Sequence, residues 1–297
     1  MSKIIIGTRG SDLALWQANH TQELLSSIGI ESEITIIKTQ GDKIQHLSFD
    51  KMEGKGFFTK EIEEALLSGA VDLAVHSHKD LETRQPEGLC IAAVPNRSFV
   101  EDVLLIRKEK AVQNAKFKVA EDAVIGTSSA RRKSQLKFHL PQCTTNDLRG
   151  NVPTRIDKLR QGQYDAIVLA KAGIKRLELD LSEFEVVDLE PTEFIPAPAQ
   201  GALAFQMRDN DPRLDQLKQL TNTSDAANVR IERTLLRELD GGCQLPFGAH
   251  CTKEGDQYHL FCAIAESAEA PSRYASLQGT DPVSLVEDML MMLKKKA

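Results

Sequence analysis

Lys3-Ile4-Ile5-Ile6-Gly7-Thr8-Arg9-Gly10-Ser11, residues 3–11, is the stretch from which the fold can be read outward. A short apolar run meets a glycine, and Ser11 stands where a helix cap belongs, ahead of a stripe that includes Leu13, Trp16 and Leu24. A strand that turns directly into a helix is the opening of an α/β layer. Residues 33–38 alternate as a strand does, residues 59–68 set Ile62, Ala65 and Leu66 on one helical face, and residues 71–75 form the next apolar run. Strand, helix, strand, helix, strand predicts a sheet covered on both faces.

The pattern recurs further along. Residues 123–126, 143–146 and 165–170 read as strands, with helices expected over 129–139 and 153–162. This gives two α/β domains of similar size, with the chain crossing near 95–100 and returning near 191–198, where Pro191, Pro196 and Pro198 stiffen it. Two crossings make a hinge, and the cleft between such domains is the default ligand site. From residue 211 the character changes. Thr223-Ser224-Asp225 opens a helix with Ala227, Ile231, Leu235 and Leu239 on one face, and Asp240-Gly241-Gly242 stops it. Three strands (249–253, 257–266, 274–278) then precede a last helix from Pro282. The expected fold class is α/β with a smaller α+β third domain. Its expected boundaries are 1–96 plus 197–213, then 97–196, then 214–297.

Composition narrows the function. At 297 residues and 32.9 kDa the chain is too long for one ordinary core. Its 37 Lys and Arg against 43 Asp and Glu leave a net charge of −6, which disfavours a general nucleic-acid coat or a basic membrane binder. No apolar run approaches the ~20 residues of a membrane span, and the N-terminal run is too short for a signal peptide. The five cysteines (Cys90, Cys143, Cys243, Cys251, Cys262) form no CxxC pair, which fits a reduced cytoplasm rather than a zinc ribbon or disulfide framework.

Several turns carry chemistry. Gly126-Thr127-Ser128-Ser129-Ala130-Arg131-Arg132 joins a strand to a helix, so backbone N–H groups and two arginines gather at a helix N-terminus, as an anion cradle requires. Ordinary capping by Ser128 or Ser129 with solvated arginines is the plainer reading. Leu148-Arg149-Gly150-Asn151-Val152-Pro153-Thr154-Arg155 repeats the design, and Arg9 holds the matching place after the first strand. Recurring strand-end arginines suit a ligand with several carboxylates or phosphates, unless each pairs with a local acid. In His76-Ser77-His78-Lys79-Asp80 a carboxylate beside a lysine ends a strand, well placed to handle protons or stabilise a cation. The two histidines lack a third ligand nearby, so no metal is expected. Gly54-Lys55-Gly56 reads as part of a lid, and Gly241-Gly242-Cys243-Gln244 sets a thiol on a glycine loop, either as a nucleophile or as a packed thiol. The other four cysteines read as core.

Together and in this order, these motifs resemble the porphobilinogen deaminase (hydroxymethylbilane synthase) family. The resemblance runs through Thr8-Arg9-Gly10-Ser11, Leu13-Ala14-Leu15-Trp16-Gln17-Ala18, Gly54-Lys55-Gly56, Ala74-Val75-His76-Ser77 and Lys79-Asp80. It continues through Gly126-Thr127-Ser128-Ser129, Arg131-Arg132, Leu148-Arg149-Gly150-Asn151-Val152, Tyr164-Asp165-Ala166-Ile167, Gln200-Gly201-Ala202 and Gly241-Gly242-Cys243-Gln244. It implies two domains like type II periplasmic binding proteins joined by a two-crossing hinge, and a third that carries the cysteine. It also implies a transferase that joins four porphobilinogen molecules head to tail with loss of ammonia, releasing linear hydroxymethylbilane for tetrapyrrole and heme biosynthesis. The family's dipyrromethane primer is a thioether on the cysteine matched by Cys243. Asp80 matches the catalytic carboxylate, which contacts pyrrole nitrogens and stabilises cationic azafulvene-like intermediates. Primer contacts fall on Ser77, Lys79, Thr127, Ser129, Arg131, Arg132 and Arg155, and substrate contacts on Arg9, Ser11, Lys55, Arg149, Arg176 and Gln200. The expected protein is a cytoplasmic monomer acting on a small molecule, with no nucleic acid or membrane partner.

The chain departs from the family at His78, where Met is common, at Leu81-Glu82 for Val-Pro, and at Pro198-Ala199 for Val-Gly. Lys171 replaces an apolar residue, and residues 96–100 are a reduced hinge. The alternative is a non-catalytic, two-lobed binder of a small polycarboxylate. It would need the arginines but neither Cys243 nor Asp80. A Cys-nucleophile acyl transferase would need a histidine base, and nothing in the sequence positions His250 as one.

Overall fold

The computed structural model describes residues 3–39, 59–239 and 245–294, so Lys55 and Cys243 lie outside the described residues. The chain divides into two compact units, residues 1–98 with 202–226, and residues 99–201 with 227–297. In chain order come β1 (Ile4–Thr8), α1 (Asp12–Ser27), β2 (Ser32–Ile36), α2 (Lys60–Leu67), β3 (Leu73–Ser77) and β4 (Leu89–Ala93). Next are β5 (Asp102–Arg107), β6 (Val124–Gly126), α3 (Ala130–His139), β7 (Thr144–Asn146), α4 (Val152–Arg160), β8 (Ala166–Ala170), α5 (Lys171–Arg176) and β9 (Phe184–Leu189). Then follow β10 (Leu203–Arg208), α6 (Leu214–Leu217), α7 (Thr223–Glu238), β11 (Phe247–Glu254), β12 (Gln257–Ile264), β13 (Arg273–Gly279) and α8 (Pro282–Lys294).

The first unit holds a sheet in the order β2-β1-β3-β10-β4, and the second holds one in the order β7-β6-β8-β5-β9. Both orders are the same design. Three strands run parallel, and one strand from elsewhere in the chain inserts antiparallel beside the third. The inserted strands are β10, the first strand after the chain re-enters the first unit at residue 202, and β5, the first after it enters the second at residue 99. Two α/β units of the periplasmic-binding-protein type are what the resemblance implies, and the topology bears this out.

Strand periodicity decides what each face buries. In the first unit Leu73 and Val75 join Ile4, Ile6, Phe205 and Leu25 of α1, whereas Ala74 between them faces Ile62 and Leu66 of α2. In the second unit Leu104, Ile106 and Val168 pack on Leu136 of α3, and Val103, Leu105 and Leu169 pack on Ile156 and Leu159 of α4. With both faces covered, the central strands are mostly apolar, with His76, Asp102 and Gln206 as buried polar exceptions. Helix α1 is rotated from expectation. Its buried positions are Gln17, Ala18, Thr21 and Leu25, while Leu13, Trp16 and Leu24 are half-buried. The cause is polar: Gln17 Nε2 donates to Ser77 Oγ at 2.8 Å, and Thr21 Oγ1 to the Gln17 carbonyl at 2.7 Å.

The second unit also contains the antiparallel sheet β11-β12-β13, covered by α7 and α8 through Ile231, Leu235, Leu285 and Met289. This sheet meets the segment after β9 at backbone distance. A Cβ on Gly248 would lie 2.7 Å from the Ile195 carbonyl oxygen, and the Ala249 N–H donates to Pro196 O at 3.1 Å. The fully buried Glu232 carboxylate accepts the Ala199 N–H at 2.7 Å and the Cys251 N–H at 2.8 Å. Ala199 itself is buried at φ +64°, a region where a Cβ is disfavoured and glycine is at ease.

Ala199→Gly should be neutral within about 1 kcal/mol, because relief of about 1–2 kcal/mol of backbone strain is offset by a lost methyl contact and a freer unfolded chain. Ala199→Val should cost about 2 kcal/mol or more, from β-branching at positive φ and overpacking. Urea denaturation of the two variants checks both signs.

Candidate functional site

The site is built from strand ends. In the first unit β1 and β3 are parallel, so residues 9–11 and the short helical turn His78–Asp80 leave the same edge of the sheet. Ser11 caps α1 by accepting the Ala14 N–H at 3.4 Å, and Thr8 Oγ1 donates to the Ala14 carbonyl at 3.1 Å. The turn after β3 is anchored by the His78 N–H, which donates to Ala202 O at 3.0 Å, and by Leu81, which is buried. His78 is buried too, Lys79 and Arg9 are half-buried, and the Asp80 carboxylate is exposed. The strand end thus presents a solvent-facing carboxylate, a group able to meet a developing cation.

Behind that turn lies a polar layer that sequence reading did not single out. His76 is buried with Nε2 3.1 Å from Gln206 Oε1, and Gln206 Nε2 donates to Glu63 Oε1 at 3.1 Å and Gln85 Oε1 at 2.9 Å. Since the Gln206 amide nitrogen is a donor twice, its oxygen is left to accept, which puts the His76 proton on Nε2. Burial pushes His76 down to about 4 and pushes Glu63 upward. His76 is therefore a buried imidazole held neutral, with Nε2 engaged by Gln206. Among the described residues no cluster of three or more His, Cys, Asp or Glu side chains is arranged to hold a metal ion.

In the second unit β6 is parallel to β7 and β8, so the turns at 127–129 and 147–151 and the start of α5 share one edge. Ser129 caps α3 by accepting the Arg132 N–H at 3.5 Å, and Thr127 is buried beside it. Ser128 exchanges two 3.0 Å bonds with the Leu148 backbone, fastening one turn to the next. Asn151 caps α4, and Arg155 Nε donates to Gly150 O at 2.7 Å. Arg149 lies 3.8 Å from Asp147. Arg176 is buried, donates to Gly201 O at 2.7 Å, and is drawn down to about 10 by burial.

Arg131 and Arg132 turn inward. Both meet Asp102, the fully buried first residue of β5: Arg131 Nη1 lies 2.8 Å from Oδ2, while Arg132 reaches Oδ1 at 2.7 Å and Oδ2 at 3.3 Å. Gln200 Nε2 donates to the same Oδ1 at 2.9 Å and to Val100 O at 2.8 Å. For these two arginines the local-acid reading is therefore part of the answer. One carboxylate against two guanidiniums still leaves surplus positive charge in a buried layer, next to the N-terminus of α3, and that surplus can receive an anion. The signal for Asp102 was in the sequence: an aspartate opening the apolar run 102–106 needs a buried counter-charge. Lys171 is explained likewise, since it pairs with Glu101 at 2.7 Å and Asp188 at 2.8 Å. Cys143, Cys251 and Cys262 are buried, as core thiols should be, whereas Cys90 is only half-buried.

Comparison with known proteins extends this geometry. The family model described as "Porphobilinogen deaminase, dipyromethane cofactor binding domain" matches residues 4–216, and "Porphobilinogen deaminase, C-terminal domain" matches residues 226–295. The chain belongs to the porphobilinogen deaminase family. A probable porphobilinogen deaminase of Methanocella arvoryzae is 45% identical over 98% of this chain and 93% of its own. The porphobilinogen deaminase of Maridesulfovibrio salexigens is 46% identical over 90% and 85%. That of Oceanobacillus iheyensis is 38% identical over 99% and 94%. Among solved structures, an ancestral cationic amino acid solute-binding protein aligns at TM-score 0.43 and 15% identity, over 80% of this chain and 90% of that one. A periplasmic substrate-binding protein from Coxiella burnetii aligns at TM-score 0.42 and 16% identity, over 77% and 96%. Among the described residues no helix is long and apolar enough to cross a membrane.

His76 makes stability pH-dependent in a defined sense. Its folded-state value of about 4 lies below the ordinary 6.5, so the unfolded chain binds the extra proton between these limits and stability falls as pH falls through them. The slope from this group is at most about 1.4 kcal/mol per pH unit. Glu63, shifted upward, acts in the opposite direction, so the comparison must be made against a variant. Denaturation midpoints at pH 7 and pH 5 should differ less in His76→Gln than in the native protein; equal differences would deny His76 its buried, neutral state.

Proposed function

We propose that the chain is a transferase that condenses four porphobilinogen molecules head to tail, with loss of ammonia, into linear hydroxymethylbilane. The observation that carries this reading is the family match over residues 4–216 and 226–295, with an exposed Asp80 on a fixed strand-end turn. The binder alternative accounts for the arginines but gives no purpose to Asp80 or Cys243.

The residues present fit a carboxylate-bearing dipyrromethane. Two buried guanidiniums on one acid, with Arg176 and the capped end of α3 at the same sheet edge, make a cationic layer inside a protein of net charge −6. In the proposed assignment Cys243 carries the primer as a thioether, which supplies the pyrrole end that each new unit joins. Ser77, Lys79, Thr127, Ser129, Arg131, Arg132 and Arg155 hold that group. Arg9, Ser11, Lys55, Arg149, Arg176 and Gln200 bind incoming substrate. Asp80 accepts pyrrole N–H bonds and lowers the energy of the positive charge that develops on the substrate as ammonia leaves. Guanidinium forks fix acetate and propionate groups bidentately, which sets the register of each addition. The domain limits 1–96 with 197–213, 97–196 and 214–297, a cytoplasmic setting and a monomeric state belong to the same proposal.

Intact mass tests it. Protein made in a porphobilinogen-producing host should carry an excess equal to two deaminated pyrrole units on the peptide containing Cys243, and Cys243→Ala should fold without that excess. A bare thiol that stays bare on incubation with porphobilinogen would favour the binder. Asp80→Ala should keep the fold and lose about 10²-fold or more in turnover, the scale seen when one preorganised charge-stabilising group is removed; near-native turnover would remove Asp80 from the mechanism.

A further inference from the structure

We infer that Asp102 is the positioning residue of the arginine layer: its buried carboxylate sets the direction of both the Arg131 and Arg132 forks and ties Gln200 to them. The inference rests on the proposed function, in which those three side chains meet the ligands.

Four donors converge on this one carboxylate. Oδ2 takes Arg131 Nη1 at 2.8 Å and Arg132 Nε at 3.3 Å, and Oδ1 takes Arg132 Nη2 at 2.7 Å and Gln200 Nε2 at 2.9 Å. A carboxylate has about four lone-pair sites, so Asp102 is saturated and has none left for a ligand. It therefore acts through its neighbours. The donors come from separate places in the chain: the first turn of α3, and the residue before Gly201, where the chain leaves the second unit. Backbone carbonyls also anchor the three donors: Ile195 O for Arg131 at 2.8 Å, Val168 O for Arg132 at 3.0 Å, and Val100 O for Gln200 at 2.8 Å. A neutral carbonyl fixes one N–H of a guanidinium. It neither offsets the repulsion between two adjacent buried cations nor fixes the plane of either fork. The Asp102 carboxylate does both, so the surplus positive charge is offered to ligand carboxylates in a set geometry. Fixed direction is what bidentate recognition requires.

Asp102→Asn removes the charge at nearly constant volume and puts an amide N–H₂ where an acceptor stood. Asp102→Glu keeps the charge but moves it by one methylene. The experiment follows covalent loading of primer-free protein incubated with porphobilinogen, by intact mass over time. Rates are normalised to the folded fraction and measured well below each variant's midpoint. Asp102→Asn should load at least fivefold more slowly than the native protein, with Asp102→Glu between the two. A residue that only supports the fold would lower the midpoint and leave loading per folded molecule unchanged, so a reduction of less than fivefold in Asp102→Asn overturns the inference. Should Asp102→Asn fail to fold, Asp102→Glu decides: loading slower by threefold or more supports the inference, and a smaller change overturns it. If the native protein does not load at all, it is the proposed function that fails. Calorimetric affinity for porphobilinogen then tests the positioning role in its place, with fivefold weaker binding by the folded variant supporting it and equal binding overturning it.

Discussion

One buried carboxylate between two guanidiniums is the constraint on which the second unit is arranged. Asp102 opens β5, the strand inserted antiparallel beside β8, and it has no exposure to solvent. A charge there is tolerated only when its partners arrive from above the sheet edge, which forces Arg131 and Arg132 into the first turn of α3 and Gln200 into reach. Such a network adds little net stability over an apolar replacement, yet losing one member leaves the rest uncompensated. It therefore specifies geometry more than it strengthens the fold. The same edge carries Thr127, Ser129 and Arg176, so the place where the sheet is least free to change is the place where the proposed chemistry sits.

The repeated sheet order explains why functional groups gather where they do. Parallel neighbours bring the ends of β1 and β3 to one edge in the first unit, and those of β6, β7 and β8 to one edge in the second. In open α/β sheets that edge is where turns are free to vary while the strands hold position. Three of these turns are closed by a side-chain cap: Ser11 for α1, Ser129 for α3, Asn151 for α4. Capping consumes one side-chain acceptor and leaves neighbouring N–H groups and arginines at the helix start. The plain capping role of Ser129 and its proposed role in anion recognition are thus compatible features of one turn.

Most of this was legible before any coordinates. Residues 3–7, 71–75 and 165–170 announced strands by apolar runs, and Ser11 announced a helix start. The strands of the third sheet fell within a few residues of expectation, and in β12 the burial alternates along most of the strand. What escaped was non-local. β5 and β10 are inserted strands whose partners lie far along the chain, Leu203 opposite Ser77 and Asp102 opposite Ala170, so no local period shows where they pair. The rotation of α1 escaped because Gln17 and Thr21 look like surface residues until Ser77 is placed beside them. Asp102 escaped for the same reason, since its meaning depends on arginines some thirty positions on. Asp80 was visible as a strand-end carboxylate from sequence, whereas the polar layer behind it, His76 with Gln206 and Glu63, needs β10 paired with β3 to exist at all.

Charge distribution then reconciles an acidic protein with a polyanionic ligand. A net charge of −6 repels carboxylates at long range, but that repulsion is screened over about 8–10 Å in physiological salt. Surface pairs such as Lys3 with Glu33 and Lys218 with Asp215 cancel locally and contribute little field. The Arg131–Arg132–Asp102 group does not cancel, and its burial keeps water from weakening it. A carboxylate close to that group meets a local excess of positive charge whatever the total. In the proposed reading, affinity at the strand ends comes from this local excess, and the aspartate between the two guanidiniums holds them in one arrangement.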